Sequence, residues 1–165
     1  HSETRPLGTG GALLDCRELC GDWVLVVNGD TLFLCDVASL VARGVERGRD
    51  GAIAGVVMSD TSRYGSLDLL DGLLRGFHEK RAGSGAVNGG LILLRKAILA
   101  PFPGGQAMSL ETDLLPELIS QGRQIAVTTS AAPFLDIGTP DTVAQADTFV
   151  ARHRAEFAGD WTAGP

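Results

Sequence analysis

The chain has 165 residues, 44% of them hydrophobic and 21% charged, which is the composition of one globular domain with its own core and excludes a fibrous or disordered chain. A formal net charge of −6 disfavours nucleic acid and anionic membrane as partners, although an acidic chain can still hold a local basic pocket for a phosphate. With no apolar run near the roughly 18 residues of a membrane span, no leader, and three cysteines (Cys16, Cys20, Cys35) that form neither a disulfide framework nor a zinc cluster, the expectation is a soluble protein of the reducing cytoplasm.

The first six residues lead straight into a glycine-rich junction with no strand before it. From there Gly8-Thr9-Gly10-Gly11-Ala12-Leu13-Leu14 enters a helix expected to last to about Cys20, with Thr9 as its N-cap. A helix that opens on bare backbone exposes N–H groups suited to an anion, a carbonyl or the edge of a base, but the same glycines also serve a helix packed closely on its neighbour. Next comes Trp23-Val24-Leu25-Val26-Val27, read as a strand buried on both faces of a mainly parallel sheet and ending in Asn28-Gly29-Asp30. Ligands collect outside the carboxyl ends of strands in open α/β sheets, so Asp30 is a candidate for holding a metal or a substrate hydroxyl. The same tripeptide is also ordinary turn chemistry.

Asp36 is expected to cap a helix through about Arg47 in which Val37, Leu40, Val41 and Val45 share an apolar face. Residues 52–58 form an apolar strand, and the order helix, strand, helix, strand fits a doubly wound α/β sheet. A polar loop over 60–65 carries the only tyrosine, and residues 66–70 and 73–78 flank Asp71-Gly72 as a β-hairpin. Glu79-Lys80-Arg81 and a small-residue loop lead to a strand over 87–94 interrupted by Asn88-Gly89-Gly90, where the glycines mark close approach by a ligand or another backbone.

A short helix over 96–99 is ended by Pro101 and Pro103. Ser109 caps a helix over 110–121 that turns Leu114, Leu115, Leu118 and Ile119 inward, with Glu111 and Asp113 near its positive end and Pro116 kinking or splitting it. Residues 124–129 and 133–138 are strands. Thr139-Pro140 opens a last helix running to about Arg154, and the remainder is a tail whose Trp161 is either exposed or docked.

Asp30 and Asp136 stand at the ends of different strands and can converge on one divalent cation. Two isolated carboxylates suit Mg²⁺, which takes hard oxygen ligands and shares them with substrate phosphates. Lys80 can then act as a point charge for a phosphate, with Glu79 accepting hydrogen bonds from hydroxyls. Each residue also has a plain structural reading: Lys80 as a solvated charge, Tyr64 as loop packing, Asn88 as a bulge-stabilising amide and Asp136 as a cap for the loop before the last helix.

The series Pro6-Leu7-Gly8-Thr9-Gly10-Gly11-Ala12, Val27-Asn28-Gly29-Asp30, Arg63-Tyr64-Gly65, Phe77-His78-Glu79-Lys80, Val87-Asn88-Gly89-Gly90 and Leu135-Asp136-Ile137-Gly138-Thr139-Pro140 resembles the sugar-1-phosphate nucleotidylyltransferase family. With Ser109-Leu110-Glu111 it is most similar to bacterial guanylyltransferases acting on mannose- or manno-heptose 1-phosphate, and the likeness covers residues 3–147. The resemblance implies a Rossmann-like mixed, mainly parallel sheet flanked by helices, in one domain over 1–154 with a tail over 155–165. It implies transfer of a nucleotidyl group from a nucleoside triphosphate, GTP above others, to a sugar 1-phosphate, with Mg²⁺ as cofactor, in nucleotide-sugar supply for polysaccharide.

By the same resemblance Leu7, Gly8, Thr9, Gly10 and Gly11, with Asn28 and Gly29, line the nucleotide. Asp30 and Asp136 hold Mg²⁺, Lys80 holds the sugar phosphate, and Tyr64, Gly65, Glu79, Asn88 and Gly89 face the sugar. The family also opens with a strand, a Gly-x-Gly-Thr-Arg loop and a Pro-Lys-Pro segment that are not in this sequence. An N-terminally truncated member is therefore expected, one flank of the Trp23 strand being left open to pairing with another chain, and a homo-oligomer fits that edge. Two other classes stay in view: a non-catalytic module binding a sugar phosphate or nucleotide sugar, and a glycosyltransferase. The last usually carries Asp-x-Asp, whereas Asp30 is followed by Thr31 and Leu32.

Overall fold

Eight strands and six α-helices follow one another in a computed structural model that describes residues 2–3, 5–78, 80 and 82–157. The strands are β1 (Trp23–Val27), β2 (Thr31–Phe33), β3 (Gly51–Met58), β4 (Ser66–Leu70), β5 (Leu73–His78), β6 (Gly85–Arg95), β7 (Ile125–Ser130) and β8 (Phe134–Asp136). The helices are α1 (Gly8–Cys16), α2 (Val37–Gly44), α3 (Leu115–Ser120), α4 (Pro140–Val143), α5 (Ala146–Arg152) and α6 (Arg154–Phe157). Six strands make one sheet in the order β1-β6-β3-β7-β5-β4, and β2 pairs with β8 in a separate two-stranded ribbon.

The sheet is mixed and flanked by helices, as expected, but it is not mainly parallel. Among the described residues β3–β7 is the parallel pair, while β1–β6, β3–β6, β4–β5 and β5–β7 run antiparallel. An apolar run records that a strand is buried and not the direction of its neighbours, so β6, flanked antiparallel on both sides, reads in sequence like a parallel strand.

The strand expected at the centre lies at an end. β1 is paired along β6 alone among the described residues, and only Val24 is fully buried, with Leu25 and Val27 exposed. The expectation of burial on both faces is thus corrected, and β3, with Gly51 through Val56 all buried, takes the central place.

One face of the sheet carries the larger core, in which Leu13 and Leu14 of α1 and Leu114, Leu115 and Leu118 meet Ile53, Ile92 and Ile125. On the other face Leu40 of α2 packs over the small side chains Ala52, Ala54 and Ala126, with Phe33 and Leu91 at its margin. Asp36 caps α2 as expected, accepting the Ser39 N–H at 3.0 Å. The apolar face expected on that helix is only partly used: Leu40 is buried, whereas Val37, Val41 and Val45 remain exposed.

The hairpin at Asp71-Gly72 is present, with φ of 55° and 71° at the two turn residues. Both positions lie in the left-handed region that Asp tolerates and Gly favours, which is the two-residue turn matched to the twist of paired strands. Ser109 caps its helix by accepting the Thr112 N–H, and Pro116 splits it: Leu110–Leu114 is a π-helical turn and α3 continues from it. A proline has no N–H to donate to the preceding turn, so the ladder widens there. The last helix is broken as well. Thr139 and Thr142 form a capping box on α4, but the expected run to Arg154 is divided into α4, α5 and α6, so residues 155–157 are helical and not tail, and Trp161 lies outside the described residues. No helix among the described residues is long and apolar enough to cross a membrane. The three cysteines are free, and burial raises the Cys16 and Cys35 thiols above their ordinary value, which fits packing residues and not reactive ones.

Candidate active site

The β2–β8 ribbon brings the two aspartates together. Thr31 is opposite Asp136 in its register, and the Ile137 N–H donates to the Asp30 carbonyl at 2.8 Å. Beside them sits Gly138, where an added Cβ would lie 3.0 Å from Asp136 Oδ1 and 3.5 Å from Asp30 Oδ2. Two carboxylates more than a hundred residues apart in sequence therefore edge the same small space. Asp136 Oδ1 accepts the Gly138 N–H at 2.8 Å, which orients that carboxylate.

Tyr64 reaches this pair from the 60–65 loop. Its ring meets Phe134 edge to face at 6.1 Å between centroids, and the Arg63 guanidinium lies 5.8 Å from its centroid. Burial, and then the negative charge and hydrogen bond of Asp136, push the phenol above its ordinary value. The tyrosine is thus placed on the carboxylate side of the site.

Oxygen-only donors with two carboxylates fit a hard cation such as Mg²⁺, which ordinarily takes one or two carboxylates and completes its shell with water and substrate phosphates. No cluster of three or more His, Cys, Asp or Glu ligands exists among the described residues, as an all-protein cage would need.

The Asn88-Gly89-Gly90 segment of β6 lies alongside. The β3–β6 register shifts between Ile53 and Gly55, opposite this segment. Gly89 is buried, and a Cβ there would come within 2.5 Å of the Phe33 ring and 3.0 Å of the Ala54 carbonyl. Its missing side chain therefore admits β2, and its close approach is both to another backbone, as expected of such a glycine, and to a neighbouring side chain. Asn28 is tied to the same segment, donating its N–H to Gly90 at 2.8 Å. The Asn88 carboxamide accepts the Gly90 N–H at 2.9 Å and donates to Glu111.

The glycine-rich entry does not present free N–H groups at its second and third glycines. Gly10 and Gly11 both donate to the Met108 carbonyl, at 2.9 and 3.0 Å, and Leu7 is buried with its carbonyl accepting from Met108. Thr9 is not the N-cap: α1 begins at Gly8, and the Thr9 hydroxyl instead accepts the Leu110 N–H at 2.9 Å. Of the two sequence readings, close packing on a neighbour accounts for Gly10 and Gly11. The neighbour, residues 106–110, is some hundred positions away and has no local signature.

Two clefts flank this junction. One, of about 740 Å³, runs along β1 and is edged by Thr9, Asn28, Gly29, Asp30 and Leu110. The other, of about 960 Å³, is edged by Gly65, Arg75, His78, Lys80, Glu111 and Thr112. Consecutive residues Leu110 and Glu111 thus face opposite clefts. Lys80 is exposed in the second, where its charge is accessible to an anion, and Glu79 lies outside the described residues. Arg75 and Thr112 were not singled out by sequence; Glu111 carried a signal only as part of Ser109-Leu110-Glu111.

A family model described as nucleotidyl transferase matches residues 1–153. The chain belongs to the nucleotidyl transferase family. Within that family it is 36% identical over 141 residues to the D-glycero-alpha-D-manno-heptose 1-phosphate guanylyltransferase of Aneurinibacillus thermoaerophilus, a match covering 84% of this chain and 61% of that protein. The mannose-1-phosphate guanylyltransferase of Mycobacterium tuberculosis is 28% identical over 146 residues, covering 85% of this chain and 40% of that protein. Among solved structures, HddC from Yersinia pseudotuberculosis complexed with GMP-PN matches with a TM-score of 0.77 at 33% identity, over 89% of this chain and 64% of that one. The chain spans about three fifths of the length of the manno-heptose relatives it matches. These relatives are sugar-1-phosphate nucleotidylyltransferases, and the helix-flanked mixed sheet is that of the nucleotide-diphospho-sugar transferase fold.

Proposed function

We propose that this nucleotidyl transferase domain serves transfer of a guanylyl group from GTP to a sugar 1-phosphate of the mannose or manno-heptose type, yielding a GDP-sugar and pyrophosphate. The observation that carries the reading is the meeting of Asp30 and Asp136 beside Gly138 in a chain related to guanylyltransferases. In the reaction a phosphate oxygen of the sugar 1-phosphate forms a bond to the α-phosphorus of GTP in line with the bond that breaks, and pyrophosphate leaves with that electron pair. No general acid or base is required, so the protein contributes positioning and charge.

Asp30 and Asp136 would hold Mg²⁺, which when bound supplies neutralisation of phosphate charge. Lys80 binds the sugar phosphate as a mobile point charge, and Asn88 and Glu79 offer hydrogen bonds to sugar hydroxyls. Tyr64 steadies the Asp136 carboxylate, and Gly65 forms part of the cleft wall beside Lys80. Asn28, Gly29 and Thr9 border the β1 cleft, taken as the nucleotide side, while Leu7 and Gly8 line a separate small pocket beside Met108, and Gly10 and Gly11 serve that side by docking α1. The product would feed glycan assembly from the cytoplasm.

A second reading, a non-catalytic module for sugar phosphates, draws on the engagement of Gly10 and Gly11 with Met108, which takes two amides away from phosphate binding. One experiment separates the two. The whole protein, supplied with Mg²⁺, GTP and mannose 1-phosphate or manno-heptose 1-phosphates, is expected to release pyrophosphate; binding of a sugar phosphate with no release from any triphosphate would overturn the enzyme reading.

A further inference from the structure

Glu111 lines the cleft that holds Lys80, next in sequence to Leu110 of the β1 cleft, and is the partner of the Asn88 carboxamide. Its backbone is held from both sides: Leu110 donates to Thr9 of α1 at 2.9 Å, and Thr112 donates to the Ser109 hydroxyl at 3.2 Å. Ser109 in turn donates its N–H to Asp113 Oδ2 at 2.7 Å. The π-helical turn over Leu110–Leu114 thus presents Glu111 from a fixed base, and widened turns of this kind recur at functional sites.

The Asn88 side chain has both ends engaged, its oxygen by the Gly90 N–H and its nitrogen by Glu111. A flipped amide would set N–H against N–H at Gly90 and oxygen against carboxylate at Glu111, so a single orientation survives. Among the described residues this leaves over the second hydrogen of Asn88 Nδ2 and the other carboxylate oxygen of Glu111, a donor beside an acceptor.

We propose that Glu111 is the positioning residue that fixes the Asn88 carboxamide for reading sugar hydroxyls. The inference rests on the sugar-1-phosphate reading of the site. Without Glu111, the Gly90 bond alone holds Asn88, and the donor aimed at the sugar loses its direction while the opposite cleft is untouched.

The test uses the whole protein with Glu111→Ala, Glu111→Gln, Asn88→Ala and the Asn88→Ala/Glu111→Ala pair, and mannose 1-phosphate as the probe. Nuclear magnetic resonance of the Asn88 side-chain NH₂, identified by its loss in Asn88→Ala, reports orientation without any ligand. Its signals should shift and exchange faster in Glu111→Ala and return toward wild type in Glu111→Gln, whose side-chain oxygen accepts the same bond. Signals unmoved by Glu111→Ala would overturn the proposal. By calorimetry Glu111→Ala should weaken mannose 1-phosphate by about tenfold, with GTP affinity unaltered and Glu111→Gln within about threefold of wild type. In the Asn88→Ala background the Glu111→Ala change should add nothing; a further tenfold loss there would show Glu111 acting independently of Asn88 and overturn the proposal. Should no sugar 1-phosphate bind the wild-type protein, the functional reading fails by itself, and the resonance result still decides whether Glu111 fixes Asn88.

Discussion

Gly89→Ala probes the joint between the main sheet and the ribbon that carries both aspartates. The added methyl would sit 2.5 and 2.6 Å from two carbons of the Phe33 ring and 3.0 Å from the Ala54 carbonyl, so Phe33 must retreat by about 1 Å to reach ordinary carbon–carbon contact. The Ala54 backbone, in the central strand, cannot yield on the other side. Overpacking of this kind costs about 1–3 kcal/mol, and replacing glycine recovers about 0.4–1 kcal/mol by restricting the unfolded chain. The midpoints of these ranges leave a net loss of about 1.3 kcal/mol, which for a chain of this length lowers Tm by roughly 3–5 °C. Thermal and urea unfolding measure it, and the cycle with Phe33→Leu supplies the control, because a smaller ring position should relieve most of the loss. An unchanged Tm in Gly89→Ala, or the same loss with and without Phe33→Leu, would refute the argument that this glycine exists to admit Phe33.

Asp30→Asn and Asp136→Asn should each reduce pyrophosphate release in the whole protein by at least about a hundredfold, since each removes one of the two charged ligands proposed for the cation; a variant that keeps wild-type turnover removes that residue from the proposed metal site. Lys80→Ala should raise KM for the sugar 1-phosphate by roughly ten- to a hundredfold, the loss of one charge-assisted contact, with KM for GTP nearly unaltered, and steady-state kinetics varying each substrate in turn checks it. The Ser39 hydroxyl, and then its N–H, hold the Asp36 carboxyl below its ordinary value. A lowered folded value means that the cap stabilises above the unfolded carboxylate value and is lost as pH falls through the lowered one. The stability difference between wild type and Asp36→Ala should therefore shrink on acidification, and urea unfolding across the acid range would contradict this if the difference stayed constant.

What the sequence encodes locally is what it revealed. Asp71-Gly72 demands a left-handed turn, Asp36, Ser109 and Thr139 each announce a helix start by their capping oxygen, and each stands where it was expected. Strand direction has no such local mark, which is why β6 and its neighbours misled. β2 was missed because three residues are too few to display a period, yet that strand carries the site. The joining of Asp30 to Asp136 was legible from two isolated carboxylates at the ends of different strands and was reinforced by the resemblance, whereas a sugar role for Asn88 came through the resemblance alone. The partners of Gly10, Gly11 and Thr9 in residues 108–110 were hidden because they lie across the chain and not along it. Leu25 and Val27 looked buried for the same reason: apolar character does not say whether a neighbour is present.

The pairing of β2 with β8 has a consequence in time. Asp30 emerges well before Asp136, which follows β7, so the space beside Gly138 cannot be bordered by both carboxylates until the sheet that supports it has all its strands. Closing a loop of more than a hundred residues on three pairs of a short ribbon is unfavourable in an unfolded chain. Here the ends are delivered by β1 and β7, already held in the larger sheet. The space between the two aspartates is thus completed only after β7 and β8 have been made, ahead of α4, α5 and α6, and a nascent chain cannot border it with both carboxylates before the strands of its core have formed.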